Sequence, residues 1–373
     1  MYRPLCLFAI TWMALALPAA TAQPPRQGPP RYTSPEVKDG KVTFRLRAPK
    51  AEKVGLFSTD IPGGGREARA MKKGENDLWE ITLDVAPGTY RYVIDVDGVQ
   101  VVDVRNPAIS ESNERVWSLV RVPGAAFMDT TDVPHGAVSK VTYHSKTLGK
   151  NRRAHVYTPP GYETNTEKYP VFYLLHGAGD CDDSWTSVGR AADILDNLIA
   201  AKKAKPMIVV MPAGHISTAG FGAPQGQGPR FEDDFEKDLR PHIEKTYRVK
   251  TDRADRAIAG LSMGGGQTLS LFLSKPADYS AVGVFSSGIF AQNMDDWEKQ
   301  NKEKLAAAVA AKDGLKTLWF ATGKDDFLLQ RSKDSVALLK KLEFKAEFKE
   351  TEGGHTWICW QQYLNEFAPM LFK

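Results

Sequence analysis

Between residues 31 and 122, apolar and polar positions alternate in short runs separated by turn residues. In KVTFRLRAP (residues 41–49), Val42, Phe44 and Leu46 fall on one side of an extended chain. In GTYRYVIDVDG (residues 88–98), Tyr90, Tyr92, Ile94 and Val96 repeat with the same two-residue period, and VDGV closes the run with a tight turn. KVGLFS, LWEITLDV and VWSLVRV read the same way, with Gly, Asp, Asn and Pro between them. Several short strands at this spacing predict an all-β sandwich of about 90 residues.

VPGAAFMDTTDVPHG (residues 122–136) reads as the connector, with the linker set at 123–137, and from residue 138 to 373 the period changes. Two further strand candidates, KVTYHSKT and RRAHVYTPP, lead into alternating strands and helices. YPVFYLLHG and PMIVVMPAG are apolar throughout and end in glycine, as strands covered on both faces do. FEDDFEKDLRPHIEKTY (residues 231–247) carries Phe231, Phe235, Leu239 and Ile243 at intervals of four, one face of a helix that Pro241 should kink or divide. RAIAGLS, AVGVFSS, TLWFATG and KAEFKET are strands. Helices are expected at GGGQTLSLFLS, around 297–311, around 330–342, and after Trp357. This alternation predicts an α/β domain with a mostly parallel sheet and helices on both faces.

The N-terminus changes the picture of where the chain works. Arg3, the apolar run 5–17 and the small residues Ala20-Thr21-Ala22 have the form of a signal peptide over residues 1–22, and QPPRQGPP (23–30) that of a Pro-rich tether. The expectation is a secreted or periplasmic protein with no membrane span once the leader is cleaved. Of three cysteines, Cys6 would leave with the leader, and an oxidising compartment permits Cys181 and Cys359 to pair. A net charge of +4, with both signs interspersed, points to no nucleic-acid partner.

The candidate chemistry centres on Gly260-Leu261-Ser262-Met263-Gly264, a G-x-S-x-G between a predicted strand and a predicted helix. A serine there sits on a sharp turn at a helix N-terminus, and the flanking glycines make room for it. A serine hydroxyl needs a base, and in this fold the acid and then the histidine follow the serine. His355, in EGGHTWICW, is the one histidine after Ser262. TLWFATGKDDFLL offers Asp325 and Asp326 as the acid, with Asp326 the expected one. Backbone donors to the oxyanion are expected at Met263, after the nucleophile, and at Ala178, between Gly177 and Gly179 in YLLHGAGD. No HExxH or comparable ligand set appears, and no P-loop, so no metal or cofactor is expected.

With YLLHGAGDCDDSW, FEDDFEKDLRPHIEKTYRV, IAGLSMGGGQTL, TGKDDF and GGHTW in family order, residues from about 138 to 370 resemble the esterase-D-like α/β-hydrolases. That family includes the feruloyl and acetylxylan esterases of carbohydrate esterase family 1 and the enterochelin esterases. The resemblance places the family's serine, acid and histidine on Ser262, Asp326 and His355, and its oxyanion donors on Ala178 and Met263. With SPEVKDGKVTFRLRAPKAEKVGLF and LWEITLDVAPGTYRYVIDVDGV, residues 32–122 resemble the early-set, immunoglobulin-like β-sandwich of the family 48 carbohydrate-binding modules, but after the VGLF strand, where such modules often carry a tryptophan, this chain reads STDIPGG. The module's role is thereby open between sugar binding, a structural part and a share in the substrate cleft. Trp185, Trp357 and Trp360 are candidates for stacking on a sugar or an aromatic acyl group, with core packing as the alternative. The triad arrangement brings the loops of Cys181 and Cys359 to one face, which permits a disulfide.

The resemblance implies a serine carboxylesterase acting on feruloyl or acetyl esters of plant-wall xylan, its partner a polysaccharide ester. The rival readings are a carbohydrate-binding protein without catalysis and an esterase of the siderophore type.

Overall fold

The computed structural model describes residues 31–65, 67–216 and 230–373, and the expected leader (1–22) and tether (23–30) lie outside them. Residues from Thr33 onward form one unit. The alternating N-terminal runs build two antiparallel sheets. One joins Lys41–Arg47 to Glu36–Lys38 and Leu78–Asp84, with Lys72–Lys73 beyond. The other centres on Gly88–Val96, between Val54–Phe57 and Val116–Val122. Val42, Phe44 and Leu46 meet Tyr90, Tyr92 and Ile94 between the sheets, with the Phe44 and Tyr92 rings edge-on at 4.7 Å.

A strand with one face in a core should leave its alternate residues wet. Gly88–Val96 departs from that rule: Thr89, Arg91 and Val93 are buried as well. Their face is covered by the C-terminal helix Trp357–Phe367, whose Gln361 amide donates to the carbonyls of Thr89 and Val188. Ile358 of that helix reaches Gly88 so closely that a Cβ there would meet its side chain at 2.7 Å. The sandwich is therefore packed onto the second domain along this strand.

The second domain is an eight-stranded sheet. Its order is Ala137–Ser145, Lys150–Thr158, Ile208–Pro212, Val171–Leu175, Arg256–Leu261, Ala281–Phe285, Thr317–Gly323, Ala346–Thr351. The first two form an antiparallel hairpin and the other six run parallel. Helices cover both faces. Ala191–Ala200 and Trp357–Phe367 pack on one; Arg240–Thr246, Met263–Ser274, Lys302–Ala310 and Leu329–Lys341 pack on the other. No helix among the described residues is long and apolar enough to cross a membrane.

Segment 231–247 stays helical through Pro241. A π-helical turn, Phe235–Leu239, lies between Phe231–Asp234 and Arg240–Thr246. Residues spaced by four drift ~40° per step around an α-helix of 3.6 residues per turn. The wider turn takes up that drift, so Phe231, Phe235, Leu239 and Ile243 all reach the core, and it accommodates the proline's missing N–H. The connector after Val122 is irregular but held: the Asn197 amide of the first long helix donates to the carbonyls of Ala126, Phe127 and Asp129.

Candidate active site

Strand order gathers the candidate residues. Val171–Leu175 pairs with Arg256–Leu261 in parallel, with Leu175 beside Gly260, so the loop 176–180 and Ser262 leave the sheet next to each other. Here the chain runs to opposite sides of Val171–Leu175, the kind of crevice in which open α/β sheets bind ligands. Two strands further along, Thr317–Gly323 and Ala346–Thr351 are parallel neighbours with Gly323 beside Thr351, and this puts Asp326 and His355 in adjoining loops.

Ser262 has φ 51° and ψ −116°, outside the regions a side chain tolerates easily, a strain of about 1–3 kcal/mol. Neighbouring bonds hold it: its N–H donates to Phe285 O at 2.9 Å and its carbonyl accepts from Ser287 Oγ at 2.6 Å. The turn is so tight that a Cβ on Gly260 would lie 2.3 Å from Gly264 O, and one on Gly264 2.5 Å from His176 O. Two of the motif's glycines are thus required by backbone approach. The Ser262 side chain makes no capping bond to the helix that follows.

The Nδ1–H of His355 donates to both carboxylate oxygens of Asp326, each at 3.0 Å. Asp326 is buried, whereas Asp325 beside it is exposed. Burial alone would push the Asp326 carboxyl up. The bond and charge of His355, the Leu328 N–H and the Ser286 hydroxyl outweigh it and hold the group below the usual aspartate value. Ser286 in turn accepts from Trp360 Nε1 at 2.9 Å, and the Trp360 ring stands edge-on to the His355 ring at 5.0 Å.

Ser262, His355, Ala178 and Trp360 line one cleft of about 450 Å³. Met263 begins the helix behind the serine. The other aromatic candidates lie elsewhere. Trp185 is buried, with its indole N–H on Leu175 O, and Trp357 is buried edge-on to it at 5.1 Å, so both are core residues and cannot stack on a ligand. The cleft takes its aromatic walls instead from Phe290 and Phe327 of the second domain and from Phe57 and Trp117 of the sandwich, a pair stacked at 6.0 Å. Phe327, 77% exposed, lies 4.5 Å from the His355 ring. It could have been suspected as an apolar residue directly after Asp326, the candidate acid. Trp117 carries no local signal, because its strand pattern fits a sandwich residue equally well. The STDIPGG loop places Thr59 in the cleft, where the resemblance left its role open.

The disulfide permitted by the sequence is not formed: Cys181 and Cys359 are both free. Cys359 instead donates to Glu352 O and accepts from the Thr356 hydroxyl, each at 3.6 Å. Burial pushes the Cys181 thiol up to about 12 and raises that of Cys359, so neither is a thiolate at neutral pH.

His176 anchors the loop that carries Ala178. Its Nε2 accepts from Gly214 N–H at 2.8 Å, so the proton sits on Nδ1, which donates to Gly177 O at 2.8 Å. Full burial pushes this imidazole down to about 4. The unfolded chain, titrating near 6.5, binds a proton before the folded one does. Stability from this group is therefore complete above about pH 6.5 and falls by up to ~3 kcal/mol as pH drops toward 4. Urea unfolding of the wild type between pH 4 and 7 should show that slope, and His176→Gln, which cannot titrate, should lose much of it.

These features have counterparts in known proteins. The Esterase family model matches residues 145–371. An endo-1,4-beta-xylanase/feruloyl esterase of Xylanibacter ruminicola is 33% identical over 349 residues, which cover 90% of this chain and 45% of that protein. An iron(III) enterobactin esterase of Escherichia coli is 23% identical over 62% of this chain and 56% of its own. The chain spans less than half the length of the first curated relatives it matches. Among solved structures, a ferulic acid esterase aligns with TM-score 0.56 and 29% identity, over 64% of this chain and 98% of that one. The Shigella flexneri enterobactin esterase aligns with TM-score 0.64 and 19% identity, over 88% and 92%. A strained serine at a strand–helix turn, a histidine–aspartate pair on the next loops and a family match over most of the second domain lead to one conclusion: the chain belongs to the Esterase family of α/β-hydrolases.

Proposed function

We propose that the protein is an exported serine carboxylesterase that hydrolyses feruloyl or acetyl esters on plant-wall xylan through an acyl-enzyme. The observation that carries this reading is that Ser262 and His355, the latter held by Asp326, share one cleft walled by aromatic side chains. His355 takes the proton from Ser262 Oγ as the oxygen attacks the ester carbonyl. The amides of Met263 and Ala178 receive the charge that develops on the carbonyl oxygen. His355 then gives the proton to the departing sugar hydroxyl. In the second half it takes a proton from water as the water oxygen bonds to the acyl carbon, and returns that proton to Ser262 Oγ as the bond from Oγ to the acyl carbon breaks and the acid leaves.

Five aromatic residues in the walls favour an aromatic acyl group over acetyl, whose methyl offers little to stack on. The name of the X. ruminicola relative, which includes a feruloyl esterase, supports the same choice. The test compares initial rates on methyl ferulate, acetylated xylan and a catechol siderophore lactone. Methyl ferulate should lead in kcat/KM by about tenfold or more, the discrimination a filled apolar pocket supplies. A lead for the lactone would move the protein to the siderophore class. Xylan binding with no turnover of any ester would make it a binding protein.

A further inference from the structure

Two loops must hold still for the proposed chemistry, 176–180 with the Ala178 amide and 353–356 with His355. Between them stands a side chain from the other domain. Arg91, on the Gly88–Val96 strand of the sandwich, is buried together with two carboxylates, Asp60 and Asp180. Its Nε donates to Asp60 Oδ2 at 3.0 Å, as does its own backbone N–H at 3.1 Å, and its Nη1 donates to Asp180 Oδ1 at 2.7 Å. Asp60 is itself fixed, since Ser58 Oγ, which donates to Arg91 O at 2.6 Å, accepts the N–H groups of Asp60 and Ile61.

Asp180 closes the loop that carries Ala178, and its own N–H donates to Gly177 O at 3.2 Å. Gly177 packs against the nucleophile turn, where a Cβ would meet Leu261 Cδ1 at 2.7 Å and Ser262 Cβ at 3.4 Å. The guanidinium carbon of Arg91 lies 5.3 Å from the Trp117 ring centre and 5.6 Å from that of Trp357. Trp357 packs edge-on to Trp360, the residue that supports His355 and Ser286. The Arg91 fork thus bonds directly to the Ala178 loop and reaches His355 only through Trp357 and Trp360, and a second sandwich contact, Asn113 N–H to Gly179 O at 3.4 Å, lies on the Ala178 loop.

We infer that Arg91 is a positioning residue for turnover: through Asp180 it holds the Ala178 amide at the oxyanion, which makes the sandwich a working part of the esterase and not an appended module. This rests on the serine-esterase reading above. Docking of the two domains alone would need no such bond at the oxyanion loop, because the Gln361 amide on Thr89 O, Ile358 against Gly88 and the Ser110–Ser187 hydroxyl pair at 2.7 Å already join them.

The full-length protein and its Arg91→Lys, Asp180→Asn and Arg91→Met variants are compared by kcat and KM on methyl ferulate. Each is also measured for Ki of an arylboronic acid, which forms a tetrahedral adduct on the serine, for Kd of ferulate and for Tm. Arg91→Met should lower kcat by about 100-fold, comparable to loss of one oxyanion donor, with KM changed by less than about threefold. Asp180→Asn, which keeps the shape and an acceptor, should lower kcat about tenfold, and Arg91→Lys should fall between it and the wild type. Boronate affinity should fall in step with kcat while ferulate affinity stays.

If Arg91→Met does not fold, Asp180→Asn and Arg91→Lys decide the matter alone. Folded variants with kcat within about twofold of wild type, or with lower Tm and kcat but unchanged boronate affinity, would overturn the assignment. Absence of ester turnover in the wild type would instead overturn the esterase reading.

Discussion

Ser262→Ala is expected to lower kcat on methyl ferulate by ~10⁵-fold or more, leaving only what binding and the oxyanion donors do for attack by water. The substitution removes one oxygen and little else. The Ser262 side chain caps nothing, and the bonds that fix its backbone run through its N–H to Phe285 and its carbonyl from Ser287. Alanine tolerates φ 51° no better and no worse than serine, so the turn should survive. The purified variant should bind ferulate with wild-type affinity and unfold at the wild-type temperature. Wild-type turnover by such a variant would end the covalent mechanism.

Asp326→Asn is the second large effect, a fall of about 10⁴-fold in kcat, or ~5.5 kcal/mol of barrier, with Asp325→Asn near wild type. Both oxygens of Asp326 face His355 Nδ1 and fix its proton there, leaving Nε2 free to accept. An amide can offer its own N–H to Nδ1, which moves the imidazole proton to the nitrogen that has to act as base. Because the Asp326 carboxyl is held below the usual aspartate value, it stays ionised at every pH where the protein would work. Its contribution to stability is complete above the ordinary aspartate range near 3.9 and is lost as pH falls through the lower folded value. The rate should therefore not titrate with this group near neutrality. Equal losses in the Asp325 and Asp326 variants would show that the acid has been misassigned.

The resemblance to esterase-type hydrolases and the broad fold were legible because their signals are local. Alternation in KVTFRLRAP and GTYRYVIDVDG marks strands, since successive side chains of an extended chain point to opposite faces. The glycines around Ser262 mark a turn whose backbone leaves no room for a Cβ. The order of Ser262, Asp326 and His355 follows from a sheet whose strands are visited in a fixed sequence. The Phe231–Ile243 spacing was legible as a helix face but not as one containing a π-helical turn, because an interval of four fits both.

By itself the chain determined most of the longer strands and helices, though not the helix Ala191–Ala200, as well as where the strained serine lies and which histidine follows it. Tertiary structure alone decided that Asp326 is buried and Asp325 is not, that Trp185 and Trp357 are core while Trp360 lines the cleft, and that Cys181 and Cys359 stay apart. It also placed Phe57, Trp117 and Arg91 of the sandwich at the site, with Arg91 bonded to an aspartate 89 positions away. The physical reason is the range of the causes. Secondary structure and tight turns depend on neighbours within a few residues, whereas burial and hydrogen-bond partnership depend on which surfaces meet once two domains have packed.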